Sequence, residues 1–226
     1  MATDLEFFIQ TVKQVMVQDI SDTLPRNPDK KHDLRSLSDI VLIVLHTTDW
    51  DTQPKRIAEY DCGKNHISDT GCPALTYSEI IMKDGIVYKT LPYEEISWHV
   101  GPWNKGSLAL ALMFRVSDSK GIDTFAPTEE SLKAAISRCG ELCLELGIAP
   151  DNVVGHRELE FTGWTWSKGS KVRRKTCPGM QIDLDLFRTR VAAYIQVKMA
   201  TRGLYNGDID GDFGPASKAA MAEWNK

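Results

Sequence analysis

Two imidazoles and a thiol, His46, His156 and Cys177, lie 110 and 21 residues apart in a chain of 226 residues. Zinc prefers nitrogen and sulfur donors, and three protein ligands leave a fourth coordination position for water, the arrangement of a catalytic site. No local signature such as His-Glu-x-x-His joins the three, so spacing alone says little. Position says more. Both histidines follow short apolar segments, Ile40–Leu45 and Val153-Val154, and strand ends hold functional groups on a rigid frame. A single histidine after a strand is usually a surface or hydrogen-bonded group, which is the competing reading.

Cys177 lies in Lys175-Thr-Cys-Pro-Gly, a turn beside bases that favour a thiolate. The other four cysteines read differently. Cys139 and Cys143 are four residues apart on an apolar helical face and belong to a core. Cys62 and Cys72 fall in a loop from Asp61 to Pro73 rich in turn residues; they could pair, but synthesis in the cytosol favours free thiols.

These residues need elements to carry them. Ile40–Leu45 is β-branched, apolar and short, as expected of a strand buried on both faces. Residues 77–91 read as a hairpin turning at Lys83-Asp84-Gly85, with Asp-Gly suggesting a type I′ turn. Residues 108–116 predict another strand. Thr128 caps a helix whose face carries Leu132, Ala135, Ile136, Cys139, Leu142, Cys143 and Leu146, and Gly147 stops it. A last long helix is expected from Leu184 to Arg202, and an amphipathic one over residues 5–16, followed by a loop to Arg35. Strands interleaved with helices predict an α/β (α+β) fold. Its central mixed β-sheet is flanked by helices, with the metal site at strand ends and a small helical C-terminal segment.

Composition excludes several function classes. A net charge of -4 with pI ≈ 5.8 argues against general nucleic-acid binding. No window reaches the ~18 consecutive apolar residues of a membrane span. The N-terminus Met-Ala-Thr-Asp-Leu-Glu has acids where a secretory signal has bases, which predicts synthesis in the cytoplasm without a signal peptide.

Taken in order, strand-His46, Tyr77 opening a hairpin, Trp98-His99-x-Gly101, Gly155-His156-Arg-Glu and Lys175-x-Cys177-Pro resemble the type-2 N-acetylmuramoyl-L-alanine amidases. That group includes phage lysis amidases and animal peptidoglycan recognition proteins. The resemblance spans roughly residues 38–190, and its five blocks are specific only together. It implies a Zn2+ held by His46, His156 and Cys177, and catalytic roles for Tyr77 and Lys175. It also implies a substrate groove near His99, Trp98 and Asn104, and hydrolysis of the bond between the lactyl group and L-alanine of bacterial peptidoglycan. Tyr77 would orient water or relay its proton, and Lys175 would hydrogen-bond the developing oxyanion. Without the resemblance, Tyr77 reads as a packed strand aromatic. The acid-free run Lys168, Lys171, Arg173, Arg174 and Lys175 is either a solvated loop or a contact for stem-peptide carboxylates, with Trp164 and Trp166 before it.

The tail repeats Asp208, Asp210 and Asp212 as an EF-hand would. Phe213 stands where that loop requires Gly, and Ala219 where it requires Glu, so calcium is excluded. Gly-Asp-Ile-Asp-Gly-Asp-Phe-Gly-Pro-Ala-Ser instead resembles a peptidoglycan-binding repeat, with turns at Gly211 and Gly214 and a helix opening at Pro215. The expected organisation is a helical extension over 1–37, a zinc amidase domain over 38–190 and a wall-binding-like segment over 191–226. The expected job is that of a monomeric phage or prophage endolysin that reaches the wall after release through a pore. A cytosolic muropeptide-recycling amidase and a non-catalytic recognition protein are the alternatives.

Overall fold

The computed structural model describes residues 15–116, 125–159 and 176–226. Six strands form one sheet: β1 (Val17–Asp19), β2 (Leu42–Thr47), β3 (Glu79–Ile81), β4 (Val87–Lys89), β5 (Ser107–Leu112) and β6 (Val153–Gly155). Their order is β1-β4-β3-β5-β2-β6. Strands β3, β5, β2 and β6 run parallel, whereas β4 reverses against β3 and carries β1 parallel to itself. The sheet is therefore mixed, as expected.

Helices cover both faces. Helix α1 (Pro54–Cys62) lies on one side; α2 (Glu129–Leu146), α3 (Leu184–Thr201) and α4 (Pro215–Trp224) pack into the larger core on the other. The two-residue period of a strand sorts β5 between them. Leu108, Leu110 and Leu112 enter the large core, while Ala111 and Met113 join Ile57, Ala58, Leu75 and Ile80 under α1. In β2, Ile43 and Leu45 belong to the large core. Alternation then turns His46 to the α1 face.

Local chemistry explains the helix ends. The Thr128 hydroxyl accepts from Ser131 N–H at 3.2 Å and Glu129 and Glu130 occupy the positive first turn of α2. Gly147, at φ 70°, closes it. Asp183 caps α3 through Leu186 N–H at 3.0 Å. Two elements were not expected, β1 and α1. The hairpin turn also differs from type I′. Gly85 alone has positive φ (84°), Gly85 N–H donates to Met82 O at 3.0 Å and Met82 N–H to Ile86 O at 2.8 Å. This is a three-residue loop with a glycine bulge, in which Asp84 needs no left-handed conformation. Gly214, at φ −76°, is extended, so of the two tail glycines only Gly211 takes a positive φ. The helix expected over 5–16 falls almost wholly outside the described residues; Val15 and Met16 lead into β1.

The C-terminal tail packs onto the same core as the sheet. Tyr205, Phe213, Ala220 and Met221 share it with α2 and α3. The fully buried Gln196 amide of α3 donates to Asp210 Oδ1 at 2.9 Å and Asp212 O at 3.0 Å, and accepts from Gly211 N–H at 2.9 Å. Among the described residues no helix is long and apolar enough to cross a membrane.

Candidate metal centre

The register of the parallel strands sets the first two site residues side by side. Leu45 of β2 pairs with Gly155 of β6, so the next residues, His46 and His156, stand together at the same sheet end. Close approach favours a glycine at 155. A Cβ would lie 2.6 Å from Leu184 Cδ1 and 3.0 Å from Pro178 Cδ, closing the space through which the Cys177 turn reaches the sheet. Arg157 N–H donates to Cys177 O at 2.8 Å, and the Arg157 guanidinium donates to Gly179 O and, at 2.6 Å, to Ile182 O. Thr47 N–H donates to Cys177 Sγ at 3.4 Å. Strand β2 and Arg157 thus seat the thiol from two sides. The sequence reading missed Arg157, although its place directly after a candidate ligand was a usable signal.

His46, His156 and Cys177 each bring one ligand atom within 4.8 Å of the others, and both histidines are buried. The imidazole rings of His46 and His156 are 4.6 Å apart at their centroids. His46 Nδ1 lies 3.6 Å from Cys177 Sγ. A tetrahedral ion with zinc–nitrogen and zinc–sulfur bonds of ordinary length separates N and S by about 3.6 Å. The donor set and its spacing fit zinc. Among the described residues this is the one such group.

Tyr77 and His99 stand beside it. Tyr77 is 5.4 Å from His46 by ring centroids and donates its hydroxyl to Thr47 O at 3.3 Å. Burial, and then the nearby Cys177, push its phenol well above the ordinary tyrosine range, so it is a neutral O–H donor at physiological pH. His99 Nδ1 meets His46 Nε2 at 3.0 Å, and its Nε2 meets Ser107 Oγ at 3.1 Å. Desolvation, followed by the charges of His156 and Arg35, holds the His99 imidazole down to about 3, and it stays neutral. Asn104 Oδ1 accepts from His99 N–H at 3.1 Å and Val100 N–H at 2.7 Å, bracing the turn that carries His99. Trp98 is half-buried, with Lys30 Nζ 5.3 Å from its ring centre.

Lys175, Trp164, Trp166 and the basic run from Lys168 lie outside the described residues. Cys139 and Cys143 are buried, their thiols pushed up by desolvation, in keeping with a core role. Cys62 and Cys72 are free thiols.

Residues 36–180 match the family described as Amidase_2, N-acetylmuramoyl-L-alanine amidase. The chain belongs to this amidase family. No curated relative matches the sequence. Solved structures share the fold of the amidase domain. The N-acetylmuramoyl-L-alanine amidase LysC from Clostridium intestinale URNW aligns with a TM-score of 0.55 at 17% identity, over 78% of this chain and 97% of that one. The Ph2119 endolysin of a Thermus scotoductus bacteriophage gives 0.54 at 24%, over 78% and 99%. Drosophila PGRP-LB gives 0.52 at 18%, over 73% and 88%. The likeness thus reaches both an amidase and an endolysin on one side and a peptidoglycan recognition protein on the other.

Proposed function

We propose that the protein is a zinc-dependent N-acetylmuramoyl-L-alanine amidase that hydrolyses the lactyl–L-alanine amide of bacterial peptidoglycan, acting as a phage or prophage endolysin. One observation carries this reading. His46 Nδ1 and Cys177 Sγ stand one zinc-ligand edge apart, with His156 beside them, at a single sheet end. A non-catalytic relative has no need of a thiolate at that corner.

A zinc ion held by these three residues supplies Lewis acidity to the amide carbonyl and lowers the pKa of water. The chain's own groups do the rest. Tyr77, neutral and partly buried, turns its O–H toward the same end of β2 and can orient water or pass a proton. Lys175, two residues before Cys177 in the sequence, would donate to the oxyanion. His99, Trp98 and Asn104 line or brace the groove on the other flank. The bases from Lys168 onward meet stem-peptide carboxylates. Residues 38–190 carry the chemistry, 1–37 form an extension, and 191–226 dock the wall. The enzyme works as a monomer, made in the host cytoplasm and released through a pore.

Digestion of purified sacculi tests the reading. New L-alanine amino termini without new reducing sugars, lost on chelation and restored by Zn2+, are expected. New reducing ends would make the protein a glycosidase. Retention on sacculi with no new ends would make it a recognition protein, and cleavage confined to soluble muropeptides a recycling enzyme.

A further inference from the structure

The polar chain behind His46 decides which of its ring nitrogens carries the proton. Ser107 Oγ donates its one hydroxyl proton to Trp103 O at 2.7 Å. Toward His99 Nε2, 3.1 Å away, the same oxygen can then only accept. His99 therefore carries its proton on Nε2 and presents a lone pair on Nδ1. Its 3.0 Å contact with His46 Nε2 requires the His46 proton to sit on that Nε2. What remains on His46 is a lone pair at Nδ1, the atom facing Cys177 Sγ.

We infer that Trp103 O, Ser107, His99 and His46 form a one-way hydrogen-bond relay that fixes the His46 tautomer and aims its Nδ1 lone pair at the cation. His99 and Ser107 are positioning residues in this scheme. Run backwards, the relay would put the His46 proton on Nδ1 and turn a proton toward the ion. Ser107 would also have to abandon Trp103 O. A ligand histidine whose second nitrogen is held by a hydrogen bond is more basic and less free to rotate.

The far end of the relay is anchored by a residue just before the matched family region. Arg35, 6% exposed, donates through Nη1 to Asn104 O at 2.9 Å, Lys105 O at 3.0 Å and Ser107 O at 2.6 Å, and through Nε to Tyr93 O at 2.7 Å. One guanidinium thereby ties the second half of the turn that contains Trp103, and the start of β5 at Ser107, to the backbone of Tyr93. Asn104 completes the hold by taking the His99 and Val100 N–H groups. A segment with no assigned part in the chemistry fixes the geometry of a ligand it never touches.

The inference rests on the zinc reading above, and the test separates the two. Long-range 1H–15N spectra of the full-length chain, zinc-free and after one equivalent of Zn2+, report the tautomer of each histidine directly. Nε2–H on both His46 and His99 is expected before metal is added. Nδ1–H on either ring would overturn the relay, whether or not zinc binds. Nε2–H on both rings with no uptake of Zn2+ would sustain the relay and overturn the zinc reading. Ser107→Ala then supplies a perturbation. Its Zn2+ dissociation constant, measured by chelator competition, should rise roughly 10–100-fold, and a change below about twofold would overturn the relay. The spectra of the unsubstituted chain decide the matter even if the variant folds poorly.

Discussion

The cluster of His46, His156 and Cys177 and the cluster of Glu79, Arg138 and Tyr93 are both largely buried against the same sheet, yet they are composed on opposite rules. In the second, an anion meets a cation. Arg138 Nε donates to Glu79 Oε1 and Oε2 at 3.1 and 3.0 Å, and its Nη2 to Glu79 Oε1 at 3.0 Å and Tyr93 Oη at 2.8 Å. Tyr93 returns its hydroxyl to Glu79, and Glu141 and Glu145 take Arg138 Nη1. Charge and hydrogen bonds close on themselves, and the network ties β3 to α2. In the first cluster, three carriers of metal-binding lone pairs converge on one point. Their convergence makes chemical sense with a cation among them. A closed polar network holds a fold together, whereas converging donors of one kind mark where something else belongs.

Breaking each cluster should therefore give different failures. The largest effect is expected from Cys177→Ala. Bound zinc, measured by metal analysis, should fall well below one per chain, and amidase rate should drop by roughly a thousandfold, as loss of several kcal/mol of Lewis-acid stabilisation implies. Stoichiometric zinc in this variant would remove Cys177 from the ligand set. Glu79→Ala should fail in the other way. Leaving Arg138 buried without its main partner costs about 3–5 kcal/mol of stability, read from urea unfolding. Zinc content and rate per folded molecule should stay near wild type. A Glu79→Ala protein of normal stability but impaired turnover would erase the distinction.

Tyr77→Phe sits between these cases. It touches the site and supplies no ligand, so zinc content should remain stoichiometric while turnover falls roughly a hundredfold, the usual reach of a general acid–base group. Equal zinc loss in Tyr77→Phe and Cys177→Ala would show that the two residues cannot be told apart by role.

Much of this plan was legible in the sequence, for reasons that vary with the residue. Strands β2 and β5 and helices α2 and α3 announce themselves through long apolar patterns and through caps such as Thr128 and Gly147. The short β1 and α1 do not. Three residues carry no readable period, and the four residues that α1 buries, Pro54, Ile57, Ala58 and Asp61, include a carboxylate that breaks the apolar pattern, although Pro54 at its first position was a start signal. The ligand types were visible, and the family pattern brought them together. Their convergence was not visible in the residues themselves. It depends on the pairing of Leu45 with Gly155 and on Arg157 holding the Cys177 turn, both long-range facts. The Glu79–Arg138 pair was invisible for the same reason: 59 residues separate its halves, and either alone reads as a surface charge.

Asp61 tests the rule at its weakest point, with the smallest expected effect. Its carboxylate is 4% exposed and accepts Thr76 N–H and Thr76 Oγ–H, each at 2.9 Å and both on Oδ2. Among the described residues it has no Lys or Arg ion pair such as Glu79 has, only the weaker influence of His66, and it joins no cluster of ligand atoms such as that of Cys177. Burial raises its pKa above the usual aspartate value, and the Thr76 hydrogen bonds offset this only in part. A folded-state pKa above the unfolded one means the folded form binds the extra proton, so stability falls as pH rises through the folded value. Asp61→Asn keeps an acceptor for Thr76 and removes the charge. It should be the more stable protein at neutral pH, by less than about 1 kcal/mol, and the difference should shrink as pH falls through the raised folded-state value of the carboxyl, where the buried group takes up its proton. Its zinc content should match wild type, since Thr76 leads directly to Tyr77 but neither is a ligand. An Asn variant less stable than wild type at neutral pH would mean that the two Thr76 hydrogen bonds outweigh the cost of a buried lone charge, and that a closed network can be built here without a cation.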